Sequence, residues 1–213
     1  MIKSMETNSV VSDDSNRLNR PTLFYDVDGV LLDFTGPFAE YWNKGVDQGC
    51  WVGEPISVNP ETWCFGYKPD VDDMTELYRV MYIFHEVHEH LPLMHEEIIQ
   101  VLEVLKSKYT IELVTAYPNE TKRVSNLLYH KLPYDKVVCN VKDKLSYIQD
   151  REKDGATVVA IFEDGPHHLD KLLPLYSGRI WAPNHWNYLD RFKGDSRIKF
   201  YDNPWEWMEL NNV

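Results

Sequence analysis

The chain has 213 residues, 43% apolar and 26% charged, which are ordinary globular values that exclude wholesale disorder and collagen-like repeats. With 34 acidic against 22 basic side chains the net charge is −12, a balance that repels polyphosphate and argues against duplex nucleic acid as a partner. Cys50, Cys64 and Cys139 show no paired spacing and no apolar run is long enough for a signal peptide or membrane helix, so the expectation is a reduced, cytoplasmic protein without a disulfide scaffold or zinc ribbon.

Residues 1–19 are polar and without period, and are expected to form a mobile tail. Thr22-Leu23-Phe24-Tyr25 suits a buried strand that ends abruptly in Asp26-Val27-Asp28-Gly29. Phe34, Phe38, Tyr41 and Trp42 then mark one helical face. From Gly45 to Pro69 the composition turns to Gly, Pro, Trp, Cys and Tyr without period, which predicts irregular structure. Asp73 with Glu76 resembles a helix start, and Met74, Leu77, Met81, Phe84, Val87 and Leu91 predict an apolar stripe stopped by Pro92.

A further helix is predicted over 95–108, with Ile98, Ile99, Leu102 and Leu105 inward. Beyond it strands over 109–115, 137–141 and 156–162 alternate with helices over 120–131, 144–150 and 166–176. In the second of these sets Val124, Leu127 and Leu128 are read as one inward side. Two short strands, 179–181 and 198–201, complete the chain. The alternation predicts an α/β fold: a Rossmann-like three-layer core around a parallel sheet. A plain crossover needs roughly 30 residues, and the longer gap after the first strand predicts a small helical cap at 36–91. The core is then 20–35 with 92–213.

In an open parallel sheet the functional crevice lies beyond the carboxyl ends of the strands. Asp26 and Asp28 end the first strand, Thr115 the second, and Glu163-Asp164 the most apolar one. Four carboxylates meeting on one rim repel each other unless a cation sits among them, and an oxygen-only set suits Mg²⁺. A threonine hydroxyl and a lysine would complete an anion site.

These residues carry a resemblance. Asp26-Val27-Asp28-Gly29-Val30 resembles the first signature of the haloacid dehalogenase-like phosphohydrolases. Thr115 in Leu113-Val114-Thr115-Ala116 resembles their second motif, and Phe162-Glu163-Asp164-Gly165-Pro166-His167 their fourth. The first signature, the acidic pair before Gly-Pro-His and the Trp-Glu tail are most similar to the 5′(3′)-deoxyribonucleotidases. The resemblance implies Asp26 as a nucleophile that forms an aspartyl-phosphate and Asp28 as general acid and base. It implies Mg²⁺ held by Asp26, the Asp28 backbone carbonyl and Asp164, with Glu163 beside it, and phosphate bound by Thr115, Ala116 and a lysine. Lys144, which opens a predicted helix, is preferred over Lys142; Lys131 ends a helix and ranks last.

The substrate implied is a small phosphorylated metabolite, foremost a nucleoside monophosphate, with no membrane partner and a homodimer left open. Trp63 and Phe65, with Trp51 and Tyr67, are candidates for stacking on a base, or else pack cap to core. His85-Glu86-Val87-His88-Glu89-His90 lacks the i, i+4 histidine pair of a zinc protease and reads as a solvated helix. His167 and His168 are expected at a helix start, and Trp205 and Trp207 to close the core. The alternatives are a sugar-phosphate or nucleic-acid-end phosphatase, a phosphomutase, a phosphoacceptor signalling domain and a non-catalytic binding protein.

Overall fold

The computed structural model describes residues 20–63, 65 and 73–213; the tail at 1–19, Cys64 and Tyr67 lie outside them. Among the described residues six strands form one sheet in the order β3-β2-β1-β4-β5-β6. These are β1 (Thr22–Tyr25), β2 (Thr110–Val114), β3 (Lys136–Val138), β4 (Val158–Phe162), β5 (Ile180–Pro183) and β6 (Ile198–Tyr201), and every neighbouring pair is parallel. The helices are α1 (Thr35–Asp47), α2 (Thr75–Val87), α3 (Ile98–Lys106), α4 (Glu120–Tyr129), α5 (Lys144–Lys153), α6 (Pro166–Leu172) and α7 (Glu206–Asn211).

Strand alternation builds the three layers. Leu23, Tyr25, Ile111, Leu113, Ala160 and Phe162 point to the face covered by α3 and α7, where Tyr25 stacks on Phe162 at 4.0 Å. Phe24, Val114 and Ile161 point to the other face, against Ile148 of α5 and Leu169 and Leu172 of α6. Glu112 is the exception on that face, and Arg151 and the Tyr147 hydroxyl satisfy its buried carboxylate.

β1 occupies the switch point. Tyr25 pairs with Leu113 on one side and Phe162 on the other, so the residues after all three strands emerge side by side on one rim. The Asp26 amide extends that register, donating to the Phe162 carbonyl at 2.8 Å.

Between β1 and α3 the chain makes an excursion whose two ends are paired. The Asp33 amide donates to the Pro92 carbonyl and the Met94 amide to the Leu31 carbonyl, both at 2.9 Å. The excursion carries α1 and α2, and Phe38, Trp42, Val80 and Phe84 bury its inner face in the same apolar cluster as one side of the sheet.

Several expectations are corrected. Helix α1 continues through Gly45 to Asp47 instead of giving way to irregular structure, and the glycine there makes room for the Trp51 indole; a Cβ would stand 1.8 Å from the ring. Trp51 is thus a packing residue, its Nε1 donating to the Trp42 carbonyl at 2.9 Å. The stripe on α2 ends early: His88 is extended, Val87 is exposed and Val80 takes the inward place. On α4 Leu128 is exposed, and the buried face is Arg123, Asn126 and Leu127. The helices expected at 95–108, 120–131 and 166–176 end short of those bounds, as does the strand at 137–141. A 3₁₀ helix at Asn187–Phe192 and α7 were not expected, although Trp207 closes the core as anticipated. No helix among the described residues is long and apolar enough to cross a membrane.

Candidate active site

Asp26 is the first residue past β1, and both its oxygens are engaged. Its Oδ1 accepts from the Val27 amide and its Oδ2 lies 2.7 Å from Lys144 Nζ. Lys144, the first residue of α5, is buried and also donates to Glu163 Oε2 at 2.7 Å. Asp143 just before it caps the helix by accepting from the Ser146 amide, which fixes where the lysine stem enters. Lys142 is exposed, and Lys131 follows the end of α4, so neither reaches this cluster.

Glu163 and Asp164 follow β4 and are both 1% exposed. Glu163 divides its oxygens between Lys144 and the Gly165 amide, 2.8 Å from Oε1. Asp164 Oδ2 accepts from the Tyr188 hydroxyl at 2.6 Å, while its Oδ1 is buried without a partner. Asp26, Glu163 and Asp164 each place a carboxylate oxygen within 4.8 Å of the others. Gly29 lets the chain pass over them: its φ is +79° and a Cβ would stand 2.0 Å from Asp164 Oδ2. The Trp186 indole fixes that turn by donating to the Gly29 carbonyl at 2.9 Å.

One cation among three carboxylates leaves this cluster short of positive charge. Burial, partly opposed by Lys144 and reinforced by Glu163, pushes the Asp26 carboxyl up to about 7. Burial, with the charges of Asp26 and Glu163, also raises Asp164 well above the usual range. Burial works against the Lys144 charge, but Asp26 and Glu163 outweigh it and raise the lysine. Beside them His168 is buried and neutral, lowered to about 3 by burial and by Lys144.

Asp28 stands apart. Its side chain does not join the three-carboxylate cluster, because Arg123 of α4 takes Oδ2 in an ion pair at 2.5 Å. Thr115 is buried past β2, its hydroxyl accepting from the Tyr117 amide at 3.1 Å, and Ala116 is exposed at the rim beside it.

Trp63 and Phe65 line an apolar cleft of about 120 Å³ with Phe34, Met74, Leu77 and Tyr188. The cleft reaches the carboxylates through Tyr188, whose ring meets Trp63 edge-on at 5.2 Å and whose hydroxyl holds Asp164. His167 lies exposed beside Trp63, 5.8 Å between centroids. His85 and His88 form no metal cluster among the described residues; they pack against Phe34, Tyr117 and Phe84.

Sequence reasoning missed Arg123, Tyr188 and Trp186. Arg123 had a signal, since it lies four residues before Leu127 and so shares the inward face of α4. Tyr188 and Trp186 had none, because their segment follows neither strand nor helix period.

No family profile matches the chain, and no curated protein matches it either. Solved structures do. A haloacid dehalogenase-like family hydrolase from Streptococcus pneumoniae superposes with a TM-score of 0.62 at 14% identity, covering 91% of this chain and 99% of its own. A protein described as a candidate beta-phosphoglucomutase from Thermotoga maritima gives 0.60 at 17% identity, covering 90% and 98%. A candidate phosphoglycolate phosphatase from Lactobacillus plantarum gives 0.61 at 13% identity, covering 90% and 99%. At these identities the likeness is one of fold: three α/β layers around a parallel sheet.

Proposed function

We propose that the chain is a Mg²⁺-dependent phosphomonoesterase of the haloacid dehalogenase-like superfamily. On this reading it works through an aspartyl-phosphate on Asp26, and residues 36–91 form a cap over the site. The observation that carries the reading is the cluster at the switch point, where Lys144 bridges Asp26 and Glu163 while Asp164 keeps one buried oxygen without a partner. That oxygen, the closely set carboxylates and the excess of negative charge fit a hard divalent cation. Asp26, Asp164 and the Asp28 backbone carbonyl would hold it. Glu163 stands beside it, its oxygens divided between Lys144 and the Gly165 amide. Bound there, Mg²⁺ would offset the charge between nucleophile and phosphate.

The chain's own groups account for the chemistry. A carboxylate oxygen of Asp26 bonds to phosphorus as the bond from phosphorus to the substrate oxygen breaks, and protonated Asp28 gives that oxygen its proton. Asp28 next takes a proton from a water whose oxygen attacks the phosphorus. The bond to Asp26 then breaks, so one water is consumed and an alcohol and inorganic phosphate leave. Lys144, Thr115 and the Ala116 amide hold the phosphate oxygens. Charge neutralisation and positioning carry most of the rate.

A (deoxy)nucleoside monophosphate is the favoured substrate, because the cleft beside Asp164 is lined by Trp63, Phe65 and Tyr188 and suits a flat apolar group. A sugar phosphate, hydrolysed or returned as in a phosphomutase, is the second reading. It is favoured by fold neighbours described as a beta-phosphoglucomutase and a phosphoglycolate phosphatase. A panel of nucleoside, sugar and aryl monophosphates with Mg²⁺ separates them. Phosphate is expected fastest from a nucleoside monophosphate, and a chelator should stop its release. Fastest release from a hexose phosphate would move the assignment to the sugar reading, and no release from any member would defeat hydrolysis.

A further inference from the structure

We infer that Arg123 is the positioning residue of the acid/base carboxyl Asp28, an inference that rests on the phosphomonoesterase reading above. A guanidinium that is only 2% exposed is costly unless paired, and its place here is fixed from several sides. Its Nη2 binds Asp28 Oδ2, and its plane lies 4.6 Å over the Tyr117 ring. Tyr117 in turn packs 4.5 Å from His85 in the last turn of α2. The preceding residue of the helix, Lys122, donates to the His85 carbonyl at 2.9 Å and pairs with the Glu86 carboxylate at 2.9 Å. Two consecutive residues of α4 thus tie the end of α2 to the acid/base.

The consequence is an asymmetry between the two oxygens of Asp28. Oδ2 is taken by Arg123, whereas Oδ1 is buried without a partner. A carboxyl that must give a proton to a leaving oxygen and then accept one from water works best with one oxygen anchored and the other open. Arginine suits the anchor, since it has no acceptor and does not lose its own proton. Lysine at 123 would keep the charge and lose the flat guanidinium that lies over the Tyr117 ring.

The test is the dependence of kcat/KM on the leaving group, measured with the full chain and Mg²⁺ on alkyl and aryl monophosphates. An alkoxide needs its proton in the transition state, and a nitrophenolate does not. R123Q should lose roughly 10- to 100-fold on alkyl phosphates and less than about threefold on nitrophenyl phosphate, with R123K between R123Q and the parent. In R123A, added guanidinium should restore part of the alkyl activity. A purely structural tie would lower all substrates alike and would not be rescued. Equal losses across the series, or none, would overturn the positioning role, and R123K carries the comparison should R123Q fail to fold. A parent protein that turns over neither class would defeat the phosphomonoesterase reading itself.

Discussion

The two walls of the site hold their carboxylates by different means. On the β4 side, Asp26, Glu163 and Asp164 share one lysine and one tyrosine hydroxyl, and the charges do not balance. On the α4 side, Asp28 meets one arginine, and the pair is balanced. The first arrangement raises Asp26 and Asp164, an excess of negative charge that the Mg²⁺ of the proposed mechanism would relieve. The second holds one oxygen of Asp28 on Arg123 and leaves the other buried without a partner. In the proposed mechanism the unbalanced wall binds and the paired carboxyl moves the proton.

Substitutions should separate the walls. The largest effect is expected from D26N, which removes the nucleophile and should cost on the order of 10⁴-fold or more in kcat. It also relieves the excess of charge, so the metal-free variant should melt no lower than the parent; a variant retaining full turnover would break the assignment. G29A strikes the same wall through the backbone, adding a Cβ 2.0 Å from Asp164 Oδ2 at a φ of +79°. Denaturant unfolding should show a loss of about 1–3 kcal/mol. The melting shift on adding Mg²⁺ should shrink as well, and an unchanged shift would mean that the turn does not shape the metal site.

Next comes a proton linkage expected of the wall with excess negative charge. The native state without metal holds the Asp26 proton up to about pH 7, whereas the unfolded chain releases it near 3.8. Stability without Mg²⁺ contributed by this group therefore falls as pH rises through that window. The cation must displace the proton, so calorimetry should find Mg²⁺ affinity falling roughly tenfold per pH unit below about 7. Equal affinity on both sides of that value would contradict the charge imbalance. The smallest effect belongs to neither wall: W63A should raise KM for a nucleoside monophosphate by about tenfold while sparing a short alkyl phosphate. Equal effects on both would make Trp63 a packing residue.

Much of the rim was legible because a parallel sheet sends all its carboxyl ends to one edge. Apolar strands ending in Asp26-Val27-Asp28, Thr115 and Glu163-Asp164 therefore had to meet, and β1 at the switch point puts the first and last side by side. Lys144 could be preferred to Lys142 through its helix start and its place before the Glu163 strand, but its burial between two carboxylates came from tertiary packing. Arg123 was hidden by its charge: next to Lys122 it reads as solvated surface, and only its register with Leu127 marks it as inward. The last turn of α1 was hidden in the aperiodic composition that begins at Gly45, since nothing local shows that Trp51 folds back onto that glycine. Tyr188 was out of reach, as a short 3₁₀ turn places it by long-range contacts with Asp164 and Trp63.

In the proposed mechanism a phosphoryl group passes through Asp26, and rapid acid quenching during turnover tests that step directly. Mass spectrometry of the quenched, digested protein should find one phosphoryl group on the peptide that carries Asp26, present with substrate and Mg²⁺ and absent from D26N. Phosphate released at full rate with no such adduct, or with the adduct on another residue, would contradict it.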